Sequence, residues 1–245
     1  MTYGEYVDRQ YYTYANDFEA PHAKALVGGL NLIPDADAVN KSAYLVAWRF
    51  PKEVSIHIED TSLGVNAIAK AVVYGTENAH TTLSNHLLMA RQPDDPNQEP
   101  DEEILENLSK AVYLGLDTAG RHSRKDMGVV YNSYRTSDRD TVALGLPTRG
   151  LYEVCTSVRA ASTRPGLGLL NSKLYSGLLG SQTVHMTVSH NMHPQEPAVA
   201  QQVAEFLESQ KPIGYAEPAA IEVGHYNIDT ENGFQYTAHT RFELQ

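Results

Sequence analysis

Histidine and glutamate side chains cluster in one short segment of the chain, and they are its strongest chemical candidates. His190, His193 and Glu196 lie within seven residues, and His185 lies just upstream. Zinc sites use two histidines and a glutamate, and the same side chains can act as general acids and bases. The short-spaced zinc motif, however, places its histidines at i and i+4 on a helix, whereas this segment is a proline-containing connection. We therefore predict no metal site here, with His190 and His193 as the only weak candidates.

The elements on either side of this segment must position its side chains. Residues 183–189 alternate between apolar and polar, with Val184, Met186 and Val188 on one face and His185 on the other, which predicts a half-buried strand. Residues 197–211 carry apolar side chains at helical spacing, begin with a proline and are followed by Pro212, which predicts a helix. The strand and helix form the clearest structural unit in the sequence.

The remaining motifs give no catalytic or cofactor site. His80 and His86 are six residues apart and share no helix face, so we interpret them as structural or exposed. Cys155 is the single cysteine, lies in a strand-like run and has no base nearby in sequence, which indicates an inert thiol. Residues 166–171 resemble a dinucleotide-binding turn only in part, because Asn171 stands where the third glycine is needed. No cofactor is therefore predicted.

Two other groups of side chains suggest contacts with partners. The densest basic cluster follows a predicted helix, where it can neutralise the helix C-terminus or contact phosphate or an acidic partner. Its members are Arg121, Arg124 and Lys125. The N-terminal residues 1–14 contain five of the 15 tyrosines, and so much aromatic area is usually buried. We predict that Tyr3, Tyr6, Tyr11, Tyr12 and Tyr14 lie at a subunit interface.

The composition limits the class of protein. The formal net charge is −11, from 30 acidic and 19 basic residues, which disfavours extended nucleic-acid binding. No apolar run approaches the roughly 20 residues of a membrane span, and the N-terminus has no signal-like segment. We expect a cytoplasmic protein without membrane contact, or a virion component assembled in the host cytoplasm.

The pattern of predicted elements indicates an α+β fold, with a mainly antiparallel sheet, three or four helices packed on it and an extended N-terminal arm. The arm spans residues 1–19, and residues 20–245 form a single domain with a possible internal boundary at 92–101. The predicted strands are a hairpin at 43–50 and 53–59, a meander at 127–134, 141–146 and 151–158, the strand at 183–189, and a hairpin at 220–228 and 234–244. The predicted helices cover 63–74, 81–91, a segment that begins at 101, and 197–211.

Two functional hypotheses remain open at this point. The first is a non-enzymatic structural subunit of a homo-oligomeric assembly, namely a virus or phage particle component of capsid, connector or tail type. It would bind copies of itself and other assembly proteins. The absence of catalytic motifs, the aromatic arm and the acidic charge favour it, although function must be argued from a site. The alternative is a metal- or acid/base-dependent enzyme that uses the region from His185 to Glu196.

Overall fold

The computed structural model describes residues 22–27, 41–87, 102–119, 126–138, 140–162, 184–191, 194–229 and 233–244. Within these ranges the chain forms four helices and ten strands. The helices are α1 (Lys52–Ala69), α2 (Glu102–Ala119), α3 (Arg149–Ser162) and α4 (Pro197–Glu208). The strands are β1 (Lys24–Val27), β2 (Lys41–Arg49), β3 (Val72–Val73), β4 (Thr81–Leu87), β5 (Val129–Thr136), β6 (Asp140–Pro147), β7 (Val184–His190), β8 (Gly214–Ala216), β9 (Ala220–Asp229) and β10 (Gly233–Glu243).

All ten strands belong to one sheet. Eight of them follow the order β1-β5-β6-β7-β4-β2-β9-β10, while β3 pairs with β7 and β8 pairs with β5. Among the described strands, the pairing of β1 with β5 is parallel and the others are antiparallel. The broad α+β class and the mainly antiparallel sheet are therefore confirmed. The centre of the sheet is the β7–β4 boundary, where two distant parts of the chain meet.

Residues from all four helices join one buried apolar cluster with one face of the sheet. Trp48, Met186 and Ile221 represent the strands in this cluster, and each is fully buried. Ile58 and Leu108 represent helices that pack on them. Since successive side chains of a strand point to opposite faces, this core determines which residues of β4 and β7 point to the other face.

Helix α1 corrects the prediction of a hairpin at 43–50 and 53–59. The first strand is present as β2, but residues 52–69 are helical. The predicted helix at 63–74 is therefore correct only as far as residue 69, and residues 72–73 form strand β3. Ser55, Ile58, Ser62 and Val65 are buried at helical spacing, whereas Ile56 is 42% exposed. The alternation of apolar residues at 54–58 was therefore coincidental, because small polar residues complete the buried face.

Two further predictions exchange helix and strand. Residues 151–158 lie in α3 rather than in the third strand of a meander, because Leu151, Val154 and Val158 are buried at i, i+3 and i+7. Residues 81–87 form strand β4 rather than a helix, because they pair with β2 along their length. Pairing with a buried neighbour strand supplies the backbone hydrogen bonds of this segment and overrides its weak helical pattern.

The other main elements are confirmed. Strands β5, β6 and β7, helices α2 and α4, and the C-terminal hairpin of β9 and β10 form where the sequence predicts them. The N-terminal arm at 1–19 lies outside the described residues, and so does the possible boundary at 92–101. The prediction of a single domain stays a prediction. Among the described residues, no helix is both long and apolar enough to cross a membrane.

Candidate active site

Two histidines from distant parts of the sequence meet at the centre of the sheet. His80 immediately precedes β4, and His185 is the second residue of β7. The two strands are joined antiparallel through the pair Thr81 and Met186, both of which are fully buried. The side chains on either side of this pair therefore point to the sheet face opposite the helices.

The same register brings two copies of one tripeptide pattern together. His80 is followed two residues later by Thr82, and His185 by Thr187. Continuing the antiparallel pairing by one residue on each side of Thr81 and Met186 places His80 opposite Thr187 and Thr82 opposite His185. Directly opposed residues have Cβ atoms about 4.5–5.5 Å apart. The two imidazoles and two hydroxyls thus form a compact diagonal array on one face.

The turn before β4 fixes the orientation and tautomer of His80. Its Nδ1 lies 2.6 Å from the carbonyl oxygen of Asn78, so Nδ1 carries the proton and Nε2 keeps a lone pair. The Asn78 side chain in turn donates to the carbonyl of Phe234 at 3.1 Å. The rings of Phe234 and Tyr236 stack on the imidazole at centroid distances of 5.3 and 6.1 Å. His80 is therefore a rigidly held group with one basic nitrogen available.

Burial lowers the pKa of His80 from 6.5 to about 4. The Asn78 carbonyl partly opposes this effect, while the positive charges of Arg49 and His185 add to it. The imidazole is consequently neutral near pH 7. A neutral imidazole with an unprotonated Nε2 is suited to accept a proton.

The charged group near His185 is opposite in sign to the one near His80. Burial also lowers the pKa of His185, but the carboxylate of Asp140 favours its protonated form. Asp140 is itself buried and its Oδ1 lies 2.5 Å from Nδ1 of His190. A negative group thus lies near His185, and a positive group, Arg49, lies near His80. Near pH 7 His80 is therefore unprotonated, whereas a neighbouring carboxylate favours the protonated form of His185.

A buried hydrogen bond behind the array fixes the start of β4. The Thr81 hydroxyl lies 2.6 Å from the phenol oxygen of Tyr131 on β5, and both residues are buried. Burial raises the pKa of Tyr131, so the phenol stays neutral. Phe50 packs edge-on against the Tyr131 ring at 5.9 Å. Because Thr81 lies between His80 and Thr82, this contact fixes the strand position on which both depend.

The structure separates the residues that sequence reasoning grouped together. His190 is buried at the end of β7 and bonds to Asp140, whereas Glu196 is exposed and precedes α4, where its carbonyl accepts from Val199 and Ala200. The described residues contain no group of three or more side chains that could hold a metal ion. The remaining predicted site residues lie outside the described residues: His193, Arg121, Arg124, Lys125, Tyr3, Tyr6, Tyr11, Tyr12 and Tyr14.

Sequence reasoning missed His80 and its partnership with His185. His80 was interpreted as structural or exposed, because only histidines close together in sequence were compared. The available signal was the repeated pattern of a histidine followed two residues later by a threonine, at 80–82 and again at 185–187. A short pattern of this kind becomes specific only when both copies lie on neighbouring strands.

Comparison with known proteins identifies the fold but no family. No family model matches the sequence, and no curated protein matches it either. Among solved structures, a protein described as a phosphoesterase is 16% identical with a TM-score of 0.50, covering 84% of this chain and 99% of its own. LigT of E. coli, solved with NADP+, is 15% identical with a TM-score of 0.50, covering 84% of this chain and 98% of its own.

The main functional prediction from the sequence is wrong. The chain has the fold of a phosphoesterase and of E. coli LigT, not that of a capsid, connector or tail component. The prediction relied on the absence of a catalytic motif, but the catalytic candidates are assembled from two strands and leave no contiguous motif. The expectation of a structural virion protein is withdrawn, and these similarities agree better with the alternative, a metal- or acid/base-dependent enzyme that uses the region from His185 to Glu196.

Proposed function

We propose that this protein is a phosphodiesterase that acts on nucleotide phosphodiesters, with His80 and His185 as its general base and general acid. The observation that carries the proposal is the pairing of Thr81 with Met186, because extending this register by one residue on each side places each histidine opposite the threonine of the other pattern. The fold shared with a phosphoesterase and with an E. coli protein solved with NADP+ supports this substrate class.

The array offers each group that phosphodiester hydrolysis requires. His80, neutral and with Nε2 free to accept, takes a proton from a water molecule as the water oxygen bonds to phosphorus. His185, on the opposite strand, donates its proton to the leaving oxygen as the bond between phosphorus and that oxygen breaks. Thr82 and Thr187 donate their hydroxyl protons to the non-bridging oxygens, on which negative charge increases. One proton enters and one leaves the histidine pair, so a second transfer through water restores the starting state.

The charge of the whole chain restricts the size of the substrate. A net charge of −11 repels the phosphates of a long nucleic acid, because binding along such a chain depends on clustered Lys and Arg. A single nucleotide or a chain end presents few phosphates, so it is repelled less by an acidic protein surface. We therefore expect turnover of small nucleotide phosphodiesters rather than cleavage within a duplex.

Hydrolysis of 2′,3′-cyclic AMP and bis(4-nitrophenyl) phosphate by the purified chain tests the proposal. His80→Ala and His185→Ala should each lower kcat/KM by about 10²- to 10⁴-fold, because each removes one proton-transfer group. His239→Ala is the matched control, since His239 is exposed on β10 away from the β4–β7 pairing, and should retain activity. Thermal melts establish that the variants are folded. Activity that survives either central substitution in a folded variant would overturn the proposal.

The two histidines also determine the shape of the pH profile. As general base, His80 must be unprotonated, so activity falls as the pH drops through about 4. As general acid, His185 must be protonated. Because its pKa lies below 6.5, activity should also fall as the pH rises towards 7. We expect a bell-shaped profile of kcat/KM with its maximum between these limits. A profile that still rises above pH 7 would contradict the assigned roles.

A further inference from the structure

A partly exposed arginine lies beside His80, and one of its guanidinium nitrogens is buried and unused. Arg49 ends β2, and the pairing of Trp48 with Thr81 continues by one residue to place Arg49 opposite His80. Thr187 lies opposite His80 on its other side by the register of β4 and β7. Neighbouring strands lie about 4.7–4.9 Å apart. Arg49, His80 and Thr187 thus form a row across three strands on the face of the candidate active site.

Two of the three guanidinium nitrogens of Arg49 are held by the protein. Nε lies 3.3 Å from a carboxylate oxygen of Glu222, and Nη2 donates to the backbone carbonyl of Glu77. Within the described part of the chain, Nη1 is buried and has no hydrogen-bond partner. A buried unpaired donor of a charged group is costly, so its retention points to a ligand that completes it. The guanidinium is also immobilised, which reduces the entropy lost on binding.

Tyr236 supplies a second unused donor next to the first. Its ring lies 6.1 Å from the His80 ring, and the Arg49 guanidinium carbon lies 5.8 Å from the Tyr236 ring centre. Burial, together with the nearby negative charge of Glu222, raises the pKa of Tyr236, so its phenol remains protonated. Its oxygen is buried and, in the described residues, has no partner. Two donors without a partner therefore belong to side chains that lie next to His80.

The charge on Arg49 is only partly neutralised by its carboxylate partner. Glu222 is shared between two guanidiniums, and its shorter contact, 2.6 Å, is with Arg241, against 3.3 Å with Arg49. Arg241 is also bound by Glu243 at 2.6 Å. Arg49 is the less compensated of the two cations, and it is the one next to His80. An anionic oxygen is the group that completes such a donor set.

We propose that Arg49 Nη1 and Tyr236 Oη bind the non-bridging oxygens of the substrate phosphate beside His80, so that the enzyme selects an anionic phosphodiester over a neutral phosphate ester. The inference rests on the proposed function, since it places the phosphate at the array of histidines and threonines. Arg49 is a binding residue in this scheme. It also keeps the phosphate on the side of the base, where attacking water must be deprotonated.

Binding of inorganic phosphate, measured by calorimetry on the full chain, tests the inference without relying on turnover. Arg49→Gln should weaken phosphate binding by roughly 10- to 100-fold, because it removes a charge-assisted hydrogen bond, and Tyr236→Phe should weaken it by roughly 3- to 10-fold. Arg241→Gln is the matched control, because Arg241 binds the same Glu222 carboxylate but lies further from His80 in the sheet. It should change binding by less than about twofold.

Each outcome decides the inference. Unchanged phosphate binding in a folded Arg49→Gln variant overturns it, and so does an equal loss in Arg241→Gln, which would trace the effect to Glu222 alone. If Arg49→Gln does not fold, Tyr236→Phe decides, because it removes one oxygen and leaves the ring in place. A wild-type chain that binds no phosphate also overturns it. Failure of the proposed function is a separate result, namely full activity in His80→Ala or His185→Ala.

The substrate preference gives a second measurement. In the wild type, kcat/KM should be much lower for a neutral methylphosphonate ester than for the corresponding anionic phosphodiester. Arg49→Gln should reduce that preference by roughly 10-fold, because it removes a group that recognises the charge. Arg49→Lys restores the charge without the planar fork and should recover part of the preference. A preference that is the same in all three proteins contradicts a direct contact between Arg49 and the phosphate.

Discussion

Acid should destabilise the folded protein through His80, and the structure gives the size of the effect. His80 is 6% exposed, and its pKa is lowered from 6.5 to about 4 on folding. The folded state therefore binds fewer protons than the unfolded chain between these values, so stability is full above pH 6.5 and is lost as the pH falls through about 4. At about 1.4 kcal/mol for each unit of pKa, the loss approaches about 3 kcal/mol.

Replacement of His80 by glutamine isolates this contribution. Glutamine does not titrate, and its amide can still donate to the Asn78 carbonyl that His80 Nδ1 contacts. Urea unfolding of both proteins at pH 7, 6, 5 and 4 gives the free energy of unfolding at each pH. Between pH 7 and 4, the wild type should lose about 3 kcal/mol more than His80→Gln. His57 and His185 also have lowered pKa values, but they are present in both proteins and cancel.

A control and a clear contrary result complete this experiment. His239→Gln changes an exposed histidine on β10 and should retain the full acid sensitivity of the wild type. If His80→Gln loses as much stability in acid as the wild type does, the argument that folding keeps His80 neutral is refuted. The assignment of His80 as a base that works at low pH would then lose its physical basis.

Two further predictions concern packing in the interior of the protein. Thr81→Val should destabilise the protein by about 1–3 kcal/mol in urea unfolding, because it leaves the buried Tyr131 phenol oxygen without its 2.6 Å partner. If the two residues are coupled, the double variant with Tyr131→Phe should lose less stability than the sum of the two single variants, and a loss equal to that sum would exclude the coupling. Gly115→Ala should cost about 1–3 kcal/mol or more, because the new Cβ would lie 2.5 Å from the Val158 Cα and force α2 and α3 apart. Thr118→Ala, exposed on α2, should stay within about 0.5 kcal/mol, and equal melting points for the two helix variants would contradict this packing argument.

Elements whose own side chains define a face were predictable from the sequence. Strand β7 and helix α4 follow from strict alternation and then from helical spacing, and the hairpin of β9 and β10 follows from two strand-like runs on either side of a turn signal. In these elements the buried residues are large and apolar, as Met186, Val188, Val203 and Leu207 are. Local pattern and tertiary burial then agree, so the prediction succeeds.

The failures arose where burial does not follow hydrophobicity. Helix α1 buries Ser55, Thr61 and Ser62 and exposes Ile56, so counting apolar residues gave the wrong period. The Ser62 hydroxyl accepts from the Tyr74 backbone N–H at 2.8 Å, a contact that no local pattern reveals. Small polar residues reach a core when a partner satisfies them, and that partner is known only once the fold is formed.

The candidate site was half predictable. His185 was placed correctly on the polar face of a strand, but it was paired with Glu196 and the histidines that follow it instead of with His80. Sequence proximity was the wrong guide, because the site forms from residues at equivalent positions of two neighbouring strands. The order of strands in the sheet, which brings β4 next to β7, could not be derived from either segment alone.

That strand order also determines when the site can exist during synthesis. Strand β2 carries Arg49, and strand β4 begins directly after His80. In the sheet these two strands lie between β7 and β9, which are synthesised much later than β2 and β4. A nascent chain that has only its first hundred or so residues outside the ribosome has neither flanking strand, so His80 has no second histidine pattern beside it. On the proposed function, the site is complete only after β7 has been made and has paired with β4. A product that ends before β7 would carry the first histidine pattern without the second.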